Sequence, residues 1–313
     1  MMSLSVAIQM DPIENIDLQC DSTYLIALEA KKRDYKLFHY TPSSLSLRNN
    51  KLIAKANVLR INHNNHENIL LGEQIYIDLE DMDIVLMRQD PPFNMSYITA
   101  TYLLEKISNK TLVINDPTGV RNSPEKLLVT NFRDFIPSTL ISSDFNEIKN
   151  FRSLYKDIIV KPLYGNGGSG VFHLTPNDEN LSSLIEFFTS LSQEPLIVQQ
   201  YIPEVRLGDK RIILIDGHPV GAINRVPPKG EARSNMHVGG KAKKTELNNV
   251  DKSICEAIGS ELRNRGLFFA GIDVIGNFLT EINVTSPTGI QEINRFDDIE
   301  VEKLFWNNLE KKI

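Results

Sequence analysis

Cysteine is scarce in this chain of 313 residues: there are two, Cys20 and Cys255, far apart and outside any C-x-x-C pattern. That excludes a disulfide scaffold and suits two free thiols in a reducing cytoplasm. Charge of one sign is scarce as well. With 34 Lys and Arg against 40 Asp and Glu, the net charge of −6 offers no general basic face, so no nucleic-acid partner is expected. No stretch approaches the roughly 18 consecutive apolar residues that span a bilayer, so no membrane association is expected either. Met1 to Asp11 has no cationic segment and too short an apolar one for an export signal, and a cytoplasmic chain is expected. Gly and Pro, at 17 and 15, are too few for a collagen-like or low-complexity chain.

What is present is enough apolar residue, 41% beside 24% charged, to bury a core at a length that suits about two domains. The first third reads as strand Val6 to Met10, helix Ser22 to Arg33, strand Asp83 to Arg88, helix Ser96 to Lys106 and strand Leu112 to Asn115. That alternation is the rhythm of a parallel α/β domain. Asn122-Ser123-Pro124-Glu125 predicts a helix start with Ser123 as N-cap, Pro124 at the first helical position and Lys126 in the first turn. A domain boundary is expected near residue 120. Then come strand Ile158 to Leu163, a glycine-rich turn, strand Val171 to Thr175, helix Leu181 to Leu191 and strand Leu196 to Ile202. Strands Arg211 to Ile215 and Val220 to Val226 follow across a turn at Asp216-Gly217. An amphipathic helix from Asp251 to Arg265, stopped by Gly266, precedes a hairpin around Gly276-Asn277.

Three stretches carry chemistry. In the first, four of the 17 glycines fall within Gly165-Asn166-Gly167-Gly168-Ser169-Gly170, which contains the G-x-G-x-x-G of dinucleotide sites. Such a site needs a helix directly after the glycines, whereas Val171 to Thr175 reads as a strand. The loop therefore reads as a flap whose backbone N–H groups fold over nucleotide phosphates, with Lys161 supplying a cation. A plain hairpin turn, the alternative, would need fewer glycines.

In the second stretch, Glu281 and Asn283 are two apart on a strand and share one face, an oxygen pair suited to Mg²⁺. Asp273 joins them on one condition. A two-residue turn pairs Ile275 with Phe278 and puts Asp273 on the wrong face, whereas a three-residue turn ending at Phe278 pairs Asp273 with Glu281. Standing alone, the segment also reads as the solvated side of an edge hairpin.

The third stretch reverses the charge of the chain: residues 206–244 hold nine basic residues and three acidic ones. Arg211 and Arg225 lie on strand patterns, where a guanidinium can stabilise an oxyanion. Arg233 sits in a loop from Pro227 to Gly240 with few apolar anchors, a candidate lid. Other readings fail. His63-x-x-His66 lacks a third ligand, no G-x-S-x-G or Walker motif is present, and Cys255 reads as core beside Ile254 and Ile258.

Lys126, Lys161-Pro162-Leu163 with its flap, Gln199-Gln200-Tyr201-Ile202-Pro203, Asp209-Lys210-Arg211 and the Asp273 to Asn283 hairpin together resemble an ATP-grasp ligase. Met10-Asp11-Pro12-Ile13, Met87-Arg88-Gln89-Asp90-Pro91-Pro92-Phe93 and Thr280 to Thr288 are similar to the bacterial glutathione synthetase family in particular. The resemblance runs over nearly the whole chain. It implies an α/β fold with an N-terminal parallel α/β (pre-ATP-grasp) substrate domain over 1–120. An ATP-grasp fold would follow, its central subdomain over 121–202 and its C-terminal subdomain over 203–313, with antiparallel sheets clamping the nucleotide.

The activity implied is ATP-dependent joining of γ-glutamylcysteine to glycine through an acyl phosphate. Lys126, Lys161 and the flap (Gly165, Asn166, Gly167, Gly168, Ser169, Gly170) would hold ATP phosphates, and Gln199, Gln200, Tyr201 and Ile202 the adenine. Asp209 and Lys210 complete the implied nucleotide site, and Asp273, Glu281 and Asn283 would bind Mg²⁺ or Mn²⁺, which favours the three-residue turn that aligns Asp273. Arg211 and Arg225 would stabilise the acyl phosphate and oxyanion, while Arg233, the third catalytic candidate, would close with the lid together with Asn235; Asp11, Arg88, Asn235, Gly239 and Gly240 would line the substrate side. A cytoplasmic homotetramer is implied too. Departures from the family pattern fall at Gln89, Asn166, Ser234 and Gly289, where Lys, Met, Gly and Cys are expected. Rival readings are another ATP-grasp ligase, differing in the Arg88 to Phe93 and lid segments, and a non-catalytic nucleotide-binding module.

Overall fold

A computed structural model of the chain describes residues 3–61, 69–231, 233–236 and 239–313. His63 and His66 lie outside the described residues. Three sheets carry the fold. The first collects β1 (Ser5–Gln9), α1 (Ser22–Lys32), β2 (Lys36–Tyr40), β3 (Leu45–Arg48), β4 (Lys51–Ile61), β5 (Ile69–Asp78), β6 (Ile84–Met87), α2 (Met95–Glu105) and β7 (Leu112–Ile114). Strands β2, β1, β6 and β7 are parallel neighbours in that order. All four β6 residues are buried, the continuous apolar run of a strand covered on both faces. The sheet is not wholly parallel as the alternation suggested: β4 runs antiparallel to β2, β3 and β5, and extends one edge. Along β4 buried and more exposed positions mostly alternate, as in a half-covered antiparallel strand.

Strand β1 has β2 on one side and β6 on the other, so the chain order reverses between β1 and β6. Crevices at such reversal points, beyond the carboxyl ends of the strands, are where open α/β sheets bind ligands. Asp11 and Arg88 follow those two ends.

Two short helices, α3 (Pro117–Arg121) and α4 (Glu125–Leu128), lead into the second sheet. The expected cap at Ser123 does not form. The N-cap is Pro124, without a side-chain bond, and Ser123 is buried, where its hydroxyl lies 3.4 Å from the Arg265 guanidinium. The second sheet is built from β8 (Thr139–Ser142), β9 (Ile158–Pro162), β10 (Phe172–Leu174) and β11 (Leu196–Gln200), all antiparallel in the order β10-β9-β11-β8. Helices α5 (Phe145–Tyr155) and α6 (Leu181–Leu191) pack on it. Leu181, Leu184, Ile185 and Phe188 form the buried stripe of α6.

The third sheet orders β14 (Lys241–Lys244), β13 (His218–Val226), β12 (Asp209–Ile215), β15 (Phe269–Ile275) and β16 (Phe278–Asn283), also antiparallel. Helix α7 (Asn249–Asn264) starts with a capping box of Asn248 and Asp251 and ends before Gly266, whose φ of 65° suits a helix terminus. Helices α8 (Ile290–Asp297) and α9 (Val301–Leu309) return to the first domain, where the buried Trp306 indole donates to the carbonyl of Ile26 at 2.8 Å. Asn115 makes a second tie between the first and third sheets. Its amide donates to the carbonyls of Phe269 and Val284, and its oxygen accepts from the Phe269 N–H, each at 2.8 Å.

Candidate active site

The second and third sheets face each other across a cleft that holds about 890 Å³ of empty space including its solvent-open mouth. Strand β9 brings Lys161 to the floor, and Gln199, Gln200, Tyr201 and Ile202 line one end. Tyr201 is held from two sides: its ring stacks on His173 at 3.9 Å between centroids, and its hydroxyl accepts from Arg206 Nε at 3.0 Å. The His173 ring bonds Asp157 at 2.6 Å. Flap residues Gly165, Asn166, Gly167, Gly168 and Ser169 form the roof. Gly170 sits at the flap's base against Pro162 and does not line the cleft. Three of these glycines adopt positive φ, namely 61° at Gly167, 79° at Gly168 and 68° at Gly170, conformations that side chains resist.

Asp273 reaches the site through a bulge. The turn has two residues, not the three that the resemblance favoured, with Ile275 opposite Phe278 and Gly276 at φ 58° in its first position. Thr280 is then an extra residue on β16, so Val274 faces Leu279 while Asp273 faces Glu281. The Thr280 hydroxyl donates to the Asp273 carbonyl at 3.1 Å. Asp273 and Glu281 thus reach the same end of the cleft, with Asn283 beyond.

Alternate residues of β12 point to opposite sides. Asp209 and Arg211 face the site, whereas Lys210 forms an ion pair with the buried Asp251 of α7 and does not line the cleft. The resemblance's nucleotide role for Lys210 finds no support in this placement.

A second cavity, about 750 Å³ of empty space including its solvent-open mouth, opens beside the first and shares Asn166, Gly167, Asn235 and Glu281 with it. It is lined by Arg211, Arg225, Asn283, Glu125, Asp90 and the segment Thr285 to Thr288. Arg88 is buried outside this lining, donating to Thr23 Oγ1 and the Pro287 carbonyl, each at 3.1 Å. Asp11 accepts from the Asp90 N–H at 2.7 Å. Both therefore shape the wall, and Gly239 and Gly240 also stand outside the lining, with the Gly240 N–H bonded to the Asn235 carbonyl at 3.1 Å.

Charge is concentrated where the cavities join. Arg211 grips Asp273 with two bonds of 2.5 Å and 3.0 Å, and Arg225 lies 3.0 Å from Asp273 and 2.6 Å from Asp209. Burial pushes the Asp273 carboxyl up, but the two guanidinium groups outweigh it and hold the acid well below the usual carboxylate range. Ser234 donates to Asp209 at 2.7 Å. Lys126 pairs with Glu281 at 3.0 Å and donates to the Gly165 carbonyl, tying the flap's base to β16. Arg233 lines the nucleotide cleft beside the flap, paired with Glu231 and donating to the Gly168 carbonyl at 3.4 Å.

Among the described residues no group of three or more His, Cys, Asp or Glu gathers as a metal site. The oxygen set at the junction is Asp273, Glu281 and the Asn283 amide. Asn283 donates through nitrogen to Gly271 and Asp273, at 3.3 Å each, and so offers its oxygen. Among the described residues no helix is long and apolar enough to cross a membrane. The motif reading missed Glu125, Ser234, Thr280 and Asn115 as contributors. Glu125 had a signal, as the acid beside Lys126 at a helix start, but first-turn acids also serve the helix dipole alone.

Two antiparallel sheets facing each other across a cleft, with a glycine flap above and a carboxylate pair at one end, define an ATP-grasp ligase. The chain matches the prokaryotic glutathione synthetase N-terminal domain over residues 4–121 and the ATP-grasp domain of the same enzymes over residues 125–298. It belongs to the prokaryotic glutathione synthetase family and is an ATP-dependent ligase. A glutathione synthetase from Mesorhizobium japonicum is 54% identical over 311 residues, covering 99% of both chains. One from Brucella melitensis is 54% identical as well, over 99% of this chain and 100% of its own. Among solved structures, a D-cycloserine synthetase superposes with a TM-score of 0.70 at 13% identity, over 98% of this chain and 99% of the other. At that identity the likeness concerns the fold.

Proposed function

We propose that this ligase joins γ-glutamylcysteine to glycine in the two adjoining cavities, giving glutathione, ADP and phosphate. The observation that carries the reading is the junction itself: Glu281 and Asn166 line both cavities, so a γ-phosphoryl group bound in one stands beside a carboxylate bound in the other. Lys126, Lys161 and the flap N–H groups hold the triphosphate, while Gln199 to Ile202 hold the adenine. The cysteinyl carboxylate oxygen attacks the γ-phosphorus and ADP leaves. The glycine amine then attacks the acyl carbon of the resulting acyl phosphate, the C–N bond forms, and phosphate departs with its oxygen.

Arg211 and Arg225 line the substrate cavity while anchored on Asp273 and Asp209, which fixes two cationic forks beside the reacting carbonyl without rearrangement. Arg233 and Asn235 approach from the lid and help exclude water, and Asp11 and Arg88 fix the wall on which the dipeptide rests. Asp273, Glu281 and Asn283 are hard oxygen donors suited to Mg²⁺ or Mn²⁺. When bound, the metal would neutralise charge on the phosphates. We further assign residues 1–120 to the substrate domain, 121–202 and 203–313 to the two ATP-grasp halves, and a cytoplasmic homotetramer to the whole.

The test is ADP release by the purified protein with ATP and Mg²⁺, given γ-glutamylcysteine plus glycine, each alone, or unrelated dipeptides. Release that requires both substrates and equals the glutathione formed is expected. Turnover with another acceptor pair alone overturns the substrate assignment.

A further inference from the structure

We propose that Glu125 receives the amino group of the acceptor amino acid. The inference rests on the ligase reading above and assigns a residue to its second substrate. Glu125 opens α4 and lies half-buried against the segment after β16. Three donors converge on one of its oxygens: Thr285 Oγ1 at 2.8 Å, the Val284 N–H at 3.2 Å and the Thr285 N–H at 3.4 Å. Its other oxygen has no donor, and its carboxylate no ion pair, among the described residues.

Three carboxylates line the substrate cavity. Glu281 is matched with Lys126, and Asp90 stands exposed, which leaves Glu125 as the shielded carboxylate without an ion pair of its own, its neighbour Lys126 being turned to Glu281 and easing its burial only in part. Burial, reinforced by the negative charge of Glu281, pushes its carboxyl up. Such a group gains most from a cation arriving in the cavity. A primary ammonium fits, being compact and rich in donors. Arg211 and Arg225 line the same cavity, so the acceptor held at Glu125 shares it with the acyl carbon; its ammonium gives one proton to solvent, the neutral amine attacks, and a second proton leaves as phosphate departs and the amide forms. The clamp on Val284 and Thr285 fixes the carboxylate in place.

The test compares initial rates of wild type and Glu125→Gln, whose amide oxygen still accepts from Thr285. Loss of a charged hydrogen-bond partner predicts a glycine KM raised about tenfold or more, with the KM for ATP and γ-glutamylcysteine within about twofold of wild type. Hydroxylamine, largely uncharged at neutral pH, should trap the acyl phosphate at a near wild-type rate in the variant. A merely structural role would move all three KM values and slow the hydroxylamine reaction equally. An unchanged glycine KM in a wild-type background that makes glutathione overturns the proposal alone; absence of glutathione from wild type overturns the ligase reading beneath it. Should Glu125→Gln fail to fold, Glu125→Asp keeps the charge but withdraws it, so a selective rise in glycine KM supports the proposal and an unchanged one overturns it.

Discussion

Gly168 lies against Asn235 so closely that a methyl group on it would stand 2.8 Å from the Asn235 amide oxygen and 3.3 Å from Cδ of Arg233. Flap and lid therefore meet closely enough that a side chain on Gly168 would displace the Asn235 amide. Gly167, next to it, has a similar left-handed backbone, but a methyl group there would have no neighbouring atom within 4 Å. Both Gly→Ala changes incur about 1 kcal/mol of backbone strain, and Gly168→Ala alone adds the collision. Gly168→Ala should lose about tenfold more kcat/KM for ATP than Gly167→Ala, at a comparable melting temperature. Equal losses would mean the flap and lid work apart.

Lys161 sits on the cleft floor, where desolvation, aided by neighbouring Lys126, lowers its pKa to about 8 against the pull of Glu281. The group is charged below about pH 8 in the free protein and loses its proton above it. Its lowered pKa favours the folded state above the ordinary lysine range, and that benefit is lost as pH falls through about 8. ATP binding has the opposite preference, because phosphates favour the charged amine. ATP affinity should fall as pH rises above about 8, with proton uptake on binding visible by calorimetry in buffers of different ionisation enthalpy. Lys161→Met should bind weakly and without that proton uptake.

The buried Asn115 side chain makes three bonds of 2.8 Å between the first and third sheets. Asn115→Ala leaves a buried N–H and two carbonyls short of partners. The cost should be about 3 kcal/mol, read as a lowered urea midpoint, while the slope of the unfolding transition stays near wild type.

Much of this architecture is legible in the sequence because its signals are local. The α6 stripe, the Gly266 stop and the alternation of Glu281 with Asn283 each depend on residues a few positions apart, and the strand after the flap rules out a dinucleotide fold. The bulge at Thr280 is not legible, since a β-branched threonine suits a regular strand equally well, and only pairing with β15 exposes the extra residue. Lys210 illustrates a different limit. Its place beside Asp209 and Arg211 in a recognisable run says nothing of facing, and strand alternation turns it toward Asp251, 41 residues away. The β3 to β5 extension has no helix between its strands, the cue on which the parallel reading depends. Ser123 fails as a cap because its side chain is drawn into the interior near Arg265.

Glu281 answers Lys126 on one side and lies on both cavities, so replacing it removes an oxygen donor from the junction and leaves Lys126 without its partner. Lys126 still faces the triphosphate in Glu281→Gln, freed from competition with a carboxylate. Nucleotide affinity without added metal should therefore hold or improve, while the ligase rate falls on the order of 100-fold or more, because phosphoryl transfer depends on charge placed at the junction. Asn283→Ala should lose less, about tenfold, since it removes a neutral donor from the same set. Equilibrium binding of ATP beside ADP release in the two variants separates these effects. A rate that survives Glu281→Gln would overturn the metal site proposed at Glu281.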